Sequence, residues 1–66
     1  MRLSDLEALV AAVREGSVTA AGRGLFLTQP AVSARLRRLE RDAGEPLLWR
    51  TARGVRPTPA GERLAE

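Results

Sequence analysis

Between Phe26 and Glu40 the chain reads FLTQPAVSARLRRLE, and its polar side chains suit recognition better than bond making. Thr28 is a helix-capping residue whose hydroxyl can also donate to a phosphate oxygen. The amide of Gln29 places a donor beside an acceptor, the pattern that pairs with adenine N6 and N7. Arg37 carries a guanidinium fork that reaches guanine or phosphate, depending on how deep its helix lies. Pro30, Ser33 and Ala34 are small, so the helix bearing them can sit deep against a partner. Further along, Arg53 precedes Gly54 in a short turn. An arginine at such a tip fits a narrow A·T minor groove, where negative potential concentrates.

Catalysis has no comparable footing. The chain contains neither histidine nor cysteine, so the commonest general base, the thiolate nucleophile and disulfides are all missing. Without clustered carboxylates or a phosphate-cradling glycine loop, the expectation is no enzyme, no cofactor and no metal. No apolar run approaches the ~20 residues of a membrane span and no leader is visible, so the chain reads as cytoplasmic.

At 66 residues the sequence allows one domain with a modest core. The net charge of +3 is unevenly placed: residues 1–27 balance, whereas residues 28–58 hold seven arginines against three acids. Every basic residue in the chain is arginine.

Helical periodicity supplies the elements that would position these side chains. Ser4 and Glu7 form a capping-box pattern, and Leu3, Leu6, Leu9, Val10 and Val13 make one apolar stripe that ends at Gly16. Ser17 or Thr19 caps a shorter helix to about Leu25, with Val18, Ala21 and Leu25 inward. Gly22 and Gly24 each cost that helix up to ~1 kcal/mol relative to alanine. Phe26-Leu27 reads as an apolar turn tucked beneath the first and third helices.

Thr28 caps the third helix and Pro30 falls harmlessly in its first turn. Val32, Leu36, Leu39 and Ala43 form its buried stripe, and Gly44 closes it. Pro30, Ser33, Ala34, Arg37 and Arg41 lie roughly opposite, with Arg38 on a flank in reach of Asp42. Two apolar pieces around an Arg-Gly turn then predict a β-hairpin, and Thr58-Pro59 starts a fourth helix in which the chain stops. Trp49 reads as a packing residue. This order predicts a mainly α winged helix-turn-helix: residues 1–58 as the domain, the helix-turn-helix motif about 18–37, and the wing about 46–57. Residues 59–66 are then the start of a helix belonging to something longer.

The pieces Ala20-Ala21, Thr28 to Ser33 (TQPAVS), Leu39-Glu40, Pro46-Leu47-Leu48, Arg50-Thr51 and Thr58-Pro59-Ala60-Gly61 occur here at fixed spacing. From Leu6 onward the chain resembles the N-terminal domain of LysR-type transcriptional regulators. The resemblance implies sequence-specific binding of double-stranded operator DNA by a homodimer or tetramer joined through a linker helix starting near Pro59. It places Gln29, Pro30, Ser33 and Ala34 in the major groove and Arg53 at the wing contact. Thr28, Arg35, Arg37 and Arg50 complete the candidate set. A small-molecule effector would act only through a C-terminal domain that this chain lacks. The chain departs from the family at Ala34, often arginine or lysine there, at Gly22 and Gly24, and at Glu45 and Trp49. The competing reading is a winged helix that binds protein, for which Phe26, Trp49 and Leu64 are the large apolar candidates.

Overall fold

The computed structural model describes residues 1–66 and contains four helices and one hairpin. They are α1 (Leu3–Glu15), α2 (Val18–Leu25), α3 (Gln29–Ala43), β1 (Leu48–Thr51), β2 (Gly54–Pro57) and α4 (Pro59–Ala65). The two strands pair antiparallel, with Leu48 opposite Pro57 and Thr51 opposite Gly54. This is the winged helix-turn-helix expected from the sequence. The first three helices enclose the core, the hairpin is the wing, and α4 packs back on α1.

Four short-range devices set the helix boundaries. Ser17 Oγ accepts from the Ala20 N–H at 3.1 Å, and Thr28 Oγ1 accepts from the Ala31 N–H at 3.2 Å. Gly16 and Gly44 end α1 and α3 in the left-handed conformation, with φ of 69° and 77°, which glycine adopts without a Cβ penalty. The start of α1 differs from expectation. Its cap position is Arg2, with no side-chain cap bond, so Ser4 and Glu7 form no capping box. Ser4 already lies inside the helix, and its carbonyl accepts from Arg35 Nη1 at 3.4 Å.

Leu9, Leu39 and Leu47 are fully enclosed, each contributing roughly 1.5–3 kcal/mol of burial. Ala8, Ala12, Ala21, Val32 and Leu36 complete the interhelical contact. Leu3, expected in that stripe, is 72% exposed, because α1 turns Asp5, Ala8, Leu9 and Ala12 inward instead. Phe26 is the larger correction: it does not tuck under the helices but stands 95% exposed, with φ of 58°. The flanking Leu25 and Leu27 take the packing positions. Trp49 is also 57% exposed rather than packed, and Leu64, proposed as exposed, packs partly against the core.

Gly22 explains how α2 meets α3. A Cβ there would stand 2.7 Å from the Leu27 carbonyl oxygen and 3.4 Å from Val32 Cγ2. The glycine that weakens α2 as an isolated helix is therefore what lets the turn close over it. Gly54 does the same for the wing. Its φ of 130° and its contact with the Gly16 carbonyl leave no room for a side chain, and Val55 N–H donates to that same carbonyl at 3.0 Å. Gly61 lies equally close to the Leu47 carbonyl.

Candidate nucleic-acid interface

Helix α3 sorts its polar side chains by angle. Pro30, Arg37 and Arg41 point to solvent, as do Thr28 and Gln29 at its N-terminal end, while Ala34 is half-buried. Ser33 is only 6% exposed, so it does not stand on the open front with its neighbours. Its Oγ accepts from Gln29 Nε2 at 3.2 Å, which fixes the Gln29 amide one turn away. The second Nε2 hydrogen and Oε1 stay free, and they are the pair an adenine edge requires.

The arginines divide into two groups. Arg38 is turned to α1, where Nη2 and Nε meet Asp5 Oδ1 and Oδ2 at 2.8 and 3.1 Å in a bidentate pair. The expected Arg38–Asp42 pair does not form; Asp42 lies 3.7 Å from the amino terminus instead. Arg35 is half-buried on the same flank, with its fork toward Ser4. Arg37 and Arg41, by contrast, are exposed and enter no ion pair or side-chain hydrogen bond.

Asp5 is fully enclosed, a burial that the sequence reading does not anticipate. The Arg38 hydrogen bonds hold its carboxyl below the usual aspartate range, against burial, which raises it. The same bond raises Arg38, so both partners favour the ionised state. The available clue was its phase: Asp5 shares the inward row of Leu9 and Ala12, where a carboxylate requires a cation.

In the wing, Arg50, Arg53 and Arg56 are exposed and unpaired. Arg53 sits in the two-residue turn between the strands, and its backbone N–H donates to Thr51 Oγ1 at 3.2 Å. Thr51 Oγ1 also donates to the Gly54 carbonyl at 3.3 Å, so one hydroxyl braces the tip. The root of the wing is held by Glu40, whose Oε2 accepts from the Leu47 and Leu48 N–H groups at 2.8 and 3.4 Å. Thr58 closes the other side, donating to the Pro46 carbonyl at 2.9 Å and accepting from the Gly61 N–H at 3.1 Å. Glu40 and Pro46-Leu47, pieces of the fixed-spacing set in the sequence, and Thr58, expected there as the cap of the fourth helix, thus join α3, the wing and α4.

Comparison with known proteins gives the same picture. The description "bacterial regulatory helix-turn-helix protein, lysR family" matches residues 3–62. The transcriptional regulator AbaB of Streptomyces antibioticus is 49% identical over 65 residues, covering 98% of this chain and 22% of that protein. The regulator TfdS of Cupriavidus pinatubonensis is 44% identical over 66 residues, again across 22% of its length. The chain thus spans about a fifth of these two relatives. Among solved structures, the CbnR DNA-binding domain in complex with DNA superposes with a TM-score of 0.94 at 32% identity, covering 98% of this chain and 75% of that one. The BenM DNA-binding domain on benA site 1 DNA gives 0.91 at 38% identity, covering 98% and 73%. No helix is long and apolar enough to cross a membrane. The fold, the motif spacing and these matches together identify the chain as a member of the LysR family of bacterial helix-turn-helix transcriptional regulators, corresponding to its DNA-binding domain.

Proposed function

We propose that this chain reads a specific duplex sequence by laying the exposed front of α3 in the major groove while the wing tip enters the adjacent minor groove. Gln29 reads adenine, oriented by Ser33 beneath it, and Pro30 and Ala34 let the helix barrel approach the bases. Arg37 reaches guanine or phosphate, and Thr28, at the positive end of the α3 dipole, meets backbone phosphate. Arg53, supported by Arg50, serves the minor groove and its flanking phosphates. Arg35, engaged with Ser4, contributes charge from the flank. The observation that carries this reading is the set of exposed, unpaired arginines on α3 and the wing, Arg37, Arg41, Arg50, Arg53 and Arg56, with no carboxylate bonded to any of them.

The same reading extends to the longer protein. The two relatives above are about five times this length, and on the same reading the chain belongs to a longer cytoplasmic regulator that dimerises or tetramerises through the helix starting near Pro59. A small-molecule effector, where there is one, would bind beyond this chain. The CbnR and BenM DNA-binding domains, both solved on DNA, support duplex DNA as the partner. A selection from a random duplex pool tests the proposal. The parent chain enriches a defined sequence, and Gln29→Ala or Arg37→Ala abolishes that enrichment. If instead Phe26→Ser and Trp49→Ser, at the two exposed apolar candidates, abolish partner binding while those two variants bind normally, the protein-interaction reading replaces it.

A further inference from the structure

Helix α3 carries four arginines, and only two of them are available to a ligand. Arg35 is turned to the Ser4 carbonyl, and Arg38 is held by one buried carboxylate on another helix. Asp5 is fully enclosed at the start of α1, and both of its oxygens are taken by Arg38. Arg38 is only partly enclosed: 34% of its side chain remains accessible. It also lies one turn beyond Ala34 on the same row of α3, a row that borders the front proposed to meet DNA. Its fork makes its hydrogen bonds to Asp5 alone, although Asp42 adds a weaker attraction from the same helix.

We infer that Asp5 is a positioning residue for DNA binding: it holds Arg38 off the duplex, leaving Arg37 and Arg41 as the free cations of α3. The inference rests on the reading that α3 faces DNA. Its physical content is selectivity. A phosphate-seeking arginine strengthens binding to every sequence alike, because phosphate contacts carry no base information. Confining Arg38 therefore lowers affinity for arbitrary duplex without touching the residues that read bases.

The test is the salt dependence of binding to a labelled mixed-sequence duplex of about 20 bp, followed by fluorescence anisotropy from about 50 to about 200 mM salt. Each phosphate contact contributes about 0.9 to the slope of log affinity against log salt. Asp5→Asn is expected to steepen the slope by about 0.9 and to tighten binding to this duplex severalfold at low salt. Arg38→Met, and the double variant lacking both charges, keep the parental slope, whereas Arg37→Met is shallower by about 0.9. A purely structural Asp5 would lower the melting temperature without moving the slope, and that result overturns the inference. A shallower slope in Arg38→Met overturns it too, since Arg38 would then already be on the DNA. Should Asp5→Asn fail to fold, Asp5→Ser, which also frees the Arg38 fork, takes its place with the same expected steepening and the same overturning result. A parental slope in Arg37→Met would instead sink the underlying reading of α3.

Discussion

Two glycines in one short helix lead to opposite expectations for the same substitution. Helix propensity alone says that alanine at either Gly22 or Gly24 stabilises α2 by up to about 1 kcal/mol. At Gly24 the structure agrees: the position is exposed, and an added Cβ meets nothing within 4 Å. Near the end of the helix the gain is about 0.5–1 kcal/mol, or roughly 2–8 °C in Tm for a domain this small. At Gly22 the new Cβ would lie 2.7 Å from the Leu27 carbonyl oxygen, which is backbone and cannot rotate away. The turn must then open, against Val32 on the other side and Thr28 immediately beyond. Overpacking of this kind costs about 1–3 kcal/mol, which outweighs the propensity gain. Gly22→Ala is expected to melt lower than the parent by several degrees and Gly24→Ala higher, as read by circular dichroism during thermal unfolding. A Gly22→Ala variant that melts at or above the parent would refute the close-approach argument.

Three further outcomes follow from the same geometry. Phe26 holds a left-handed conformation while burying almost nothing, so Phe26→Gly should raise stability by about 1 kcal/mol in urea titrations; a loss would mean that the ring packs after all. Thr28→Ala removes the bond to the Ala31 N–H and should cost about 1 kcal/mol, while Thr28→Ser should keep most of it. The Asp5 carboxyl titrates lower in the folded chain than its ordinary value of about 3.9, so its contribution is complete above that pH and is lost as pH falls through the folded value. The stability gap between the parent and Asp5→Asn should accordingly narrow below about pH 4, and a gap constant with pH would contradict the pairing.

Much of this molecule could be read from residue order. The inward rows of α2 and α3, the caps at Ser17 and Thr28, the closing glycines and the Arg-Gly hairpin all follow from local periodicity, which depends only on near neighbours. What escaped that reading depends on distant partners. Arg38 has Asp42 in ideal helical spacing, yet it bonds Asp5, 33 residues away, because an enclosed carboxylate needs the fork far more than an exposed one does. Ser33 looked outward on a helical projection, but its 6% exposure shows it enclosed beneath Gln29. Phe26 was assigned to the core by hydrophobicity. Its position at the end of α2 gives it a left-handed backbone that aims the ring outward. Leu3 failed for a simpler reason: α1 is apolar on two sides, and Leu3, Leu6, Val10 and Leu25 line an open groove on the outer one, with a volume of about 300 Å³.

Which face of the domain meets DNA is measured directly by amide chemical-shift mapping during titration with a selected duplex. Perturbations are expected at residues 28–37 and again at 50–56, with the outer side of α1 silent. Shifts concentrated on Leu3, Leu6 and Val10, with Gln29, Arg37 and Arg53 unmoved, would contradict it.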